Sequence, residues 1–360
     1  MSYKIPIGPF HPALEEPYKL DLTCEGETVR KAELHVGFNF RNIEYLAERR
    51  NYQQTISLVE RVCGICSNVH SMNFCMTVEK LLNLQVPERA QYIRVLMLEL
   101  ERLHSHILWC GVAAKLIGFK TMFMSCFAMR EKVMDLLETI SGNRVNYGMN
   151  CFGGVVRDLD DSAPVLAVVE AIEKELTSSV IPVFTTNPTV RDRCAGIGVL
   201  TSEQAKSMGI VGPLARASGL PQDLRRDAPY LVYDRLEFDV PVQTDGDVRA
   251  RLVVRALELL ESCRILRQVM RDIPAGPIAV ASGPRLKVPA GTAVARIEAP
   301  RGEVFYSVTA NGTDMPKRVK IRTPTFANMP SMQWAVVGGQ LADAPLIQAS
   351  IDPCYSCTDR

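Results

Sequence analysis

PERAQYIRVLMLELERLHSHILWCGVAAKLIGFKTMFMSCFAMREKVMDLLETI, residues 87–140, is the longest stretch of the chain that keeps one period. Apolar side chains recur at Ile93, Leu96, Met97, Leu100 and Leu103, the spacing that lines one face of an α-helix. Pro87 stands near the start, where a proline is tolerated because the first helical N–H groups have no partner anyway. Between Ile107 and Phe127 few polar residues interrupt the run, so this part is predicted to be buried on most sides. Gly118 falls inside it and predicts two successive helices with a break between them. Helices buried this thoroughly need others to cover them, which points to a mainly α fold.

Upstream, residues 41–61 carry the same period at Ile43, Leu46, Ala47, Ile56, Leu58 and Val59 and are predicted as short helices. Nearer the N-terminus the period falls to two: residues 18–37, YKLDLTCEGETVRKAELHVG, alternate apolar and polar around Glu25-Gly26-Glu27, the pattern of a β-hairpin. Downstream, residues 161–184 predict an amphipathic helix ending near Pro182, and residues 247–272 another, opened by Asp245 and stopped before Pro274. Residues 185–240, rich in Gly, Pro and Arg, read as irregular connection. Residues 303–309 and 317–322 flank an Asn311-Gly312 turn and predict a second small sheet. The expected class is α+β, mainly α: a long-helix bundle core with small β-sheets near the N- and C-terminal parts. One domain is expected over residues 1–360, with an N-terminal β element at 1–40, a helical core at 41–272, and a C-terminal β element with a metal-binding tail at 273–360.

Composition narrows the function classes. Hydrophobic residues make up 47% of 360, enough for a sizeable core, and 41 Lys plus Arg against 40 Asp plus Glu leave no electrostatic footprint for nucleic acid. The opening lacks a basic segment followed by an apolar one, and no apolar run reaches the roughly 18 residues of a membrane span. The chain by itself is therefore expected to be soluble and cytoplasmic, with reduced thiols. Of its eleven cysteines, Cys24, Cys75, Cys110, Cys126, Cys151, Cys194 and Cys263 stand singly and read as small buried hydrophobes.

The other four form two pairs at equal spacing. Arg61-Val62-Cys63-Gly64-Ile65-Cys66 and Asp352-Pro353-Cys354-Tyr355-Ser356-Cys357 offer four thiolates that can converge on one centre. Taken without their flanks, two such pairs read as a tetrathiolate zinc site. The flanks read differently. RVCGIC followed by His70, together with DPCYSC near the end, resembles the paired signatures of nickel-iron hydrogenase large subunits. GPFHPALEEP near the N-terminus, RNIE at 41–44, ERLHSH at 101–106, EAPRGE at 298–303 and RTPT at 322–325 fall in the same order, so the resemblance spans the whole chain. The length, the HPALEEP opening and the RTPT segment are most similar to the energy-converting, membrane-bound kind. These are relatives of the quinone-binding subunit of respiratory complex I, which has lost the four cysteines that this chain keeps.

The resemblance implies that Cys63, Cys66, Cys354 and Cys357 all bind nickel, and that Cys66 and Cys357 also bridge to an iron carrying carbon monoxide and cyanide. Soft thiolates suit such metals. It implies that Arg301 is held over the open metal positions and that Glu16 is the proton gate, with Glu15 its solvated rival. His70, four residues after Cys66, is spaced to donate a hydrogen bond to that bridging sulfur, and Pro324 and Thr325 resemble the groups that hold a cyanide. Many family members end this motif in His, which with the glutamate matching Glu44 binds a further ion. Here Arg360 stands instead, and a guanidinium does not ligate metals, so a Glu44–Arg360 charge pair is expected in place of that ion. His104 and His106, two residues apart on a helix, face different sides and are expected as core or partner-facing histidines.

The implied reaction is 2H+ + 2e− ⇌ H2. No further cysteine cluster would hold an iron-sulfur cluster in this chain, so a small subunit with a 4Fe–4S cluster is an expected partner. The energy-converting kind also implies a ferredoxin-type donor, a further iron-sulfur subunit and integral membrane subunits, with this chain peripheral on the inner face of the cell membrane. Two rivals stand beside this reading: a complex I-like quinone-reaction subunit without a working nickel-iron site, and a zinc-stabilised structural subunit.

Overall fold

The computed structural model describes residues 2–12, 14–280, 283 and 286–360, so Ala13 of the HPALEEP stretch lies outside the described residues. The chain opens with an antiparallel sheet of β1 (Ser2–Ile7), β2 (Lys19–Glu25) and β3 (Thr28–His35) in that order. The β2–β3 pair is the predicted hairpin, and the alternation that predicted it buries Leu20, Leu22 and Cys24 on one face. The two short helices follow as α1 (Ile43–Ala47) and α2 (Tyr52–Glu60), the second opened by a capping box between Asn51 and Gln54.

Next come α3 (Ser67–Leu82) and the segment that decides the fold, which forms α4 (Glu88–Ile117) and α5 (Lys120–Ser141). The break falls at Gly118, whose φ of 103° suits glycine and whose N–H caps the carbonyls of Ala114 and Lys115. Ile93, Leu96, Leu100 and Leu103 are all fully buried. Each such side chain contributes roughly 1.5–3 kcal/mol over leaving it in water.

A two-residue bridge of β4 (Asn150–Cys151) and β5 (Gly154–Val155) leads to α6 (Ala163–Glu175). The predicted end near Pro182 is not where the helix stops. A π-helical turn at Leu176–Val180 widens the backbone, and the helix runs on through Pro182 into α7 (Ile181–Thr186). The supposedly irregular connection contains α8 (Pro188–Cys194), α9 (Ser202–Ser207), α10 (Pro213–Ala217) and α11 (Leu224–Asp227). These helices are too short to show a period, and three of them start at the capping side chains of Asn187, Thr201 and Asp223. Then α12 (Val248–Asp272) is capped by Asp247, not by Asp245: the Asp247 carboxylate accepts the Ala250 N–H at 2.7 Å.

The C-terminal sheet has three strands, β6 (Gly291–Ala299), β7 (Gly302–Ala310) and β8 (Arg318–Arg322), in that order. The chain finishes in α13 (Pro324–Trp334), α14 (Ala344–Ile351) and α15 (Tyr355–Asp359). α4 packs against both α5 and α12, while β6 and β7 cover α3. The fold is α+β and mainly α, with a long-helix core and a small sheet towards each end.

Candidate metal centre

Each CxxC segment runs into the start of a helix. Cys66 stands at the N-cap of α3 and Cys354 at the N-cap of α15. Backbone N–H groups therefore point at sulfur: those of Ile65 and Cys66 at Cys63 Sγ (3.2 and 3.3 Å), and that of Cys357 at Cys354 Sγ (3.4 Å). Such donors favour thiolate over thiol. The tail meets the first pair directly, with Cys63 Sγ 3.6 Å from Cys354 Sγ and Cys66 Sγ 3.5 Å from Cys357 Sγ. The ligand atoms of Cys63, Cys66 and Cys357 lie within 4.8 Å of one another. These separations far exceed the ~2.05 Å of a disulfide, so the four are separate thiols: three lie within reach of one point, and Cys354 joins them through its contact with Cys63.

All four are buried, and their ionisation is linked. Hydrogen bonds from Cys354, Cys357 and Cys66 hold Cys63 well below the ordinary thiol range. For Cys66 and Cys354 the bond from Cys357 is outweighed by the bond with Cys63, by burial and by the charge on Cys63, and both are pushed well above that range. Cys357 is raised by its bonds with Cys354, Cys63 and Cys66 and by burial. One negative charge is tolerated in this dry setting, and four are not unless a cation sits among them. The residues thus fit a thiolate-bound metal, and their softness suits nickel as well as zinc.

A cavity of about 320 Å³ lies next to the cysteine segments, and its wall includes Glu16, Ile65, Arg301 and Pro353 but none of the four cysteines. Arg301 comes from the turn between β6 and β7. Its Nε donates to the Asp352 carbonyl at 2.9 Å, Nη2 to Asp352 Oδ1 at 2.7 Å, and Nη1 to Ser105 Oγ at 3.5 Å. Burial opposes the guanidinium charge, but Asp352 and the sulfurs of Cys354, Cys63 and Cys66 outweigh it, so Arg301 stays cationic. Asp352 itself has φ 59°, a left-handed conformation costly for a side chain of its kind, and the bidentate grip of Arg301 holds it there.

Glu16 reaches in from the loop between β1 and β2. Its Oε2 accepts the N–H groups of Tyr355 (2.5 Å) and Ser356 (2.9 Å), and burial together with the Cys63 charge raises its carboxyl despite those bonds and Arg301. Glu15, on the same cavity wall, is exposed. His70 is buried, with Nδ1 2.8 Å from Tyr306 Oη and Nε2 3.6 Å from the sulfur of Cys357, not from that of Cys66 as the spacing suggested. Burial pushes its pKa down to about 4, so the ring is neutral. Pro324 and Thr325 open α13, both buried, and Thr325 Oγ1 accepts the Cys354 N–H at 3.0 Å.

Glu44 and Arg360 meet at 2.9 Å, and Glu44 also accepts the Ile321 N–H and faces Lys320 and Arg318 at 3.2 and 3.4 Å. Burial alone would raise the Glu44 carboxyl; the Ile321 N–H, Arg360 and Lys320 bring it below its ordinary value. His104 and His106 are buried and reach separate partners, Tyr147 Oη at 3.2 Å and Glu258 Oε2 at 2.8 Å.

Several residues about the centre went unread in the sequence. Arg41 donates to the carbonyls of Arg61, Val62 and Ser356, tying both cysteine segments together; its place in RNIE was the available signal. Asp352 lay inside DPCYSC but was read only as a flank. Glu101, which accepts the N–H groups of Asn68 and Val69 at the start of α3, opens ERLHSH, which was the available signal, whereas Tyr306 behind His70 had no local one.

Comparison with known proteins places the chain in a family. The family model of the respiratory-chain NADH dehydrogenase 49 Kd subunit matches residues 117–285 and 281–360, and that of nickel-dependent hydrogenase matches residues 41–111. The chain is 43% identical to the carbon monoxide-induced hydrogenase of Rhodospirillum rubrum, over 100% of this chain and 99% of that one. It is 39% identical to a subunit of the F(420)H(2) dehydrogenase of Methanosarcina mazei, over 98% and 96%. A chain of the membrane-bound sulfane sulfur reductase, an archaeal respiratory membrane complex, superimposes with TM-score 0.95 at 35% identity, covering 100% of this chain and 98% of that one. This chain is therefore a member of the family that joins the large subunits of nickel-dependent, energy-converting hydrogenases to the 49 Kd subunit of respiratory-chain NADH dehydrogenase.

Proposed function

We propose that the chain is the catalytic large subunit of an energy-converting nickel-iron hydrogenase, reversibly reducing protons to H2. Nickel would be held by Cys63, Cys66, Cys354 and Cys357, and iron with carbon monoxide and cyanide ligands would be shared through Cys66 and Cys357. The observation that carries the reading is the convergence of four buried sulfurs beside a carboxyl and a guanidinium on one cavity wall. A bound nickel-iron group supplies the two-electron redox chemistry.

The chain's own side chains supply the rest. Glu16 has Oε2 fixed by two backbone N–H groups, which leaves Oε1 to take a proton from the sulfur side and pass it to the cavity. Arg301, fixed by Asp352, keeps a permanent positive charge over the sulfurs and so stabilises negative charge there. His70 turns Nε2 towards Cys357 while Tyr306 fixes its ring, and a donated hydrogen bond draws electron density from that sulfur. Pro324 and Thr325 would cradle a cyanide, and the Glu44–Arg360 pair would stand where relatives hold a further ion.

Electrons have to come from outside, since the described residues bring together only one group suited to metal. A small subunit with a 4Fe–4S cluster, a further iron-sulfur subunit, a ferredoxin donor and integral membrane subunits complete the proposal. No helix among the described residues is long and apolar enough to cross a membrane, so attachment to the inner face of the cell membrane would be through those partners.

Infrared spectroscopy and metal analysis of the purified native complex test it. Carbon monoxide and cyanide stretches with one nickel per chain are expected, and Cys63→Ser or Cys357→Ser should abolish H2 turnover while the complex persists. Full activity in either variant would sink the reading. A second reading, a quinone-reaction subunit, is favoured by the match of residues 117–360 to the 49 Kd model and by the cavity. It predicts neither nickel nor those stretches, and one tightly bound zinc would indicate a structural site.

A further inference from the structure

EAPRGE carries a second carboxyl near Arg301 that the proposed chemistry does not use. Glu298, at the end of β6 before the Pro300-Arg301 corner, is 3% exposed. Its Oε1 accepts Arg216 Nη1 at 2.9 Å and its Oε2 accepts the Leu224 N–H at 3.3 Å. The carbonyls of Glu298 and Ala299 accept Arg102 Nη2 and Nη1 at 2.7 and 3.1 Å. The strand end leading to Arg301 is thus gripped by Arg102 through its backbone and by Arg216 through one carboxylate. Gly212, just before α10, closes the far side: a Cβ there would fall 2.3 Å from the Arg301 carbonyl oxygen. Both clamping arginines are themselves fixed, Arg102 Nε on Glu99 at 3.2 Å and Arg216 Nε on Glu258 at 2.7 Å.

We propose that Glu298 is a positioning residue for Arg301: by anchoring the turn to Arg216, it sets where the guanidinium lies over the four sulfurs. The inference rests on the reading of Arg301 as a group of the metal centre. Glu298 faces ionisable groups from every element packed on it: Arg102 on α4, Arg216 on α10, Asp223 and Arg225 at α11, Tyr230 and, across the β6–β7 pair, Glu303. Glu258 of α12 stands behind Arg216. Burial and the Asp223 charge push the Glu298 carboxyl up to about 7 against the three arginines. It also lines a separate cavity of about 280 Å³. Above that pH the carboxylate pairs with Arg216 as an ion; below it a weaker neutral hydrogen bond is left, and the turn loosens.

The test is hydrogen–deuterium exchange of the assembled complex, read by mass spectrometry on the peptide containing residues 299–302 and corrected for the intrinsic effect of pH. At about pH 8, Glu298→Gln should exchange about tenfold faster there than the parent, the equivalent of losing one charged hydrogen bond, while peptides of α5 stay unchanged. The parent at about pH 6 should approach the variant. In nickel-loaded complex the variant should also shift the infrared stretches of the iron ligands. Equal exchange in parent and variant at the higher pH overturns the proposal; should the variant not assemble, a flat parent profile between the two pH values does so. A complex without nickel in which the turn still loosens supports the positioning role and removes the hydrogenase reading instead.

Discussion

Glu15 and Glu16 are neighbours in sequence and differ in what surrounds them: one is exposed, the other is held by two backbone N–H groups beside the cysteines. Glu16→Gln keeps both of those bonds possible while removing the exchangeable proton. The expected outcome is markedly slower proton–deuterium exchange with nickel content retained; unchanged exchange would move the role to Glu15 or elsewhere. The cysteines were legible because their spacing is local and their flanks are distinctive. The partner of His70 was not, because a spacing of four names a helix face and says nothing of which sulfur the turn at Cys66 leaves there. The conformation of Asp352 depends on an arginine 51 residues away, a distance no pattern within DPCYSC reports.

Elements were legible where one residue type carries one meaning. Gly118 marked the division of α4 from α5 because a left-handed cap favours glycine. Two aspartates preceding α12 carried no such distinction, and only the extended backbone of Asp247 puts its carboxylate on the Ala250 N–H. Asp247 also accepts the Gly196 N–H at 2.8 Å. Asp247→Ala should therefore lower stability by about 1 kcal/mol or somewhat more, whereas Asp245→Ala should change little; urea unfolding of the two variants compares them. β6 escaped notice because its inward face at Ala295, Ile297 and Ala299 is mostly alanine, and so alternates only weakly in hydrophobicity.

On the scale of the whole molecule, the helical core carries a large buried charge network, which composition could not reveal since charges of both signs nearly balance. Glu99, Arg102, Arg216, Asp223, Arg225, Glu258 and Glu298 are all buried and paired. His106 joins it as a neutral ring donating to Glu258, burial having pushed its pKa down to about 4, and burial and Arg130 bring His104 to about 3. A histidine depressed below its unfolded value of about 6.5 contributes stability that is complete above that pH and is lost as pH falls through the folded value. The urea midpoint should consequently drop between about pH 6.5 and pH 4, with a loss on the order of 3 kcal/mol for His106. His106→Gln, which keeps a donor for Glu258, should lessen that drop. The grip of the N-terminal part on the tail has a further consequence. Asp359 accepts the N–H groups of Gly37 and Asn39, and Arg41 holds the Ser356 carbonyl. A ribosome has to complete the strands, the helical core and the second sheet before it releases Cys354 and Cys357. Any nascent chain interrupted earlier presents half of the sulfurs and none of the segment that closes over them, so the order of synthesis is itself a checkpoint on when a metal can be sealed in.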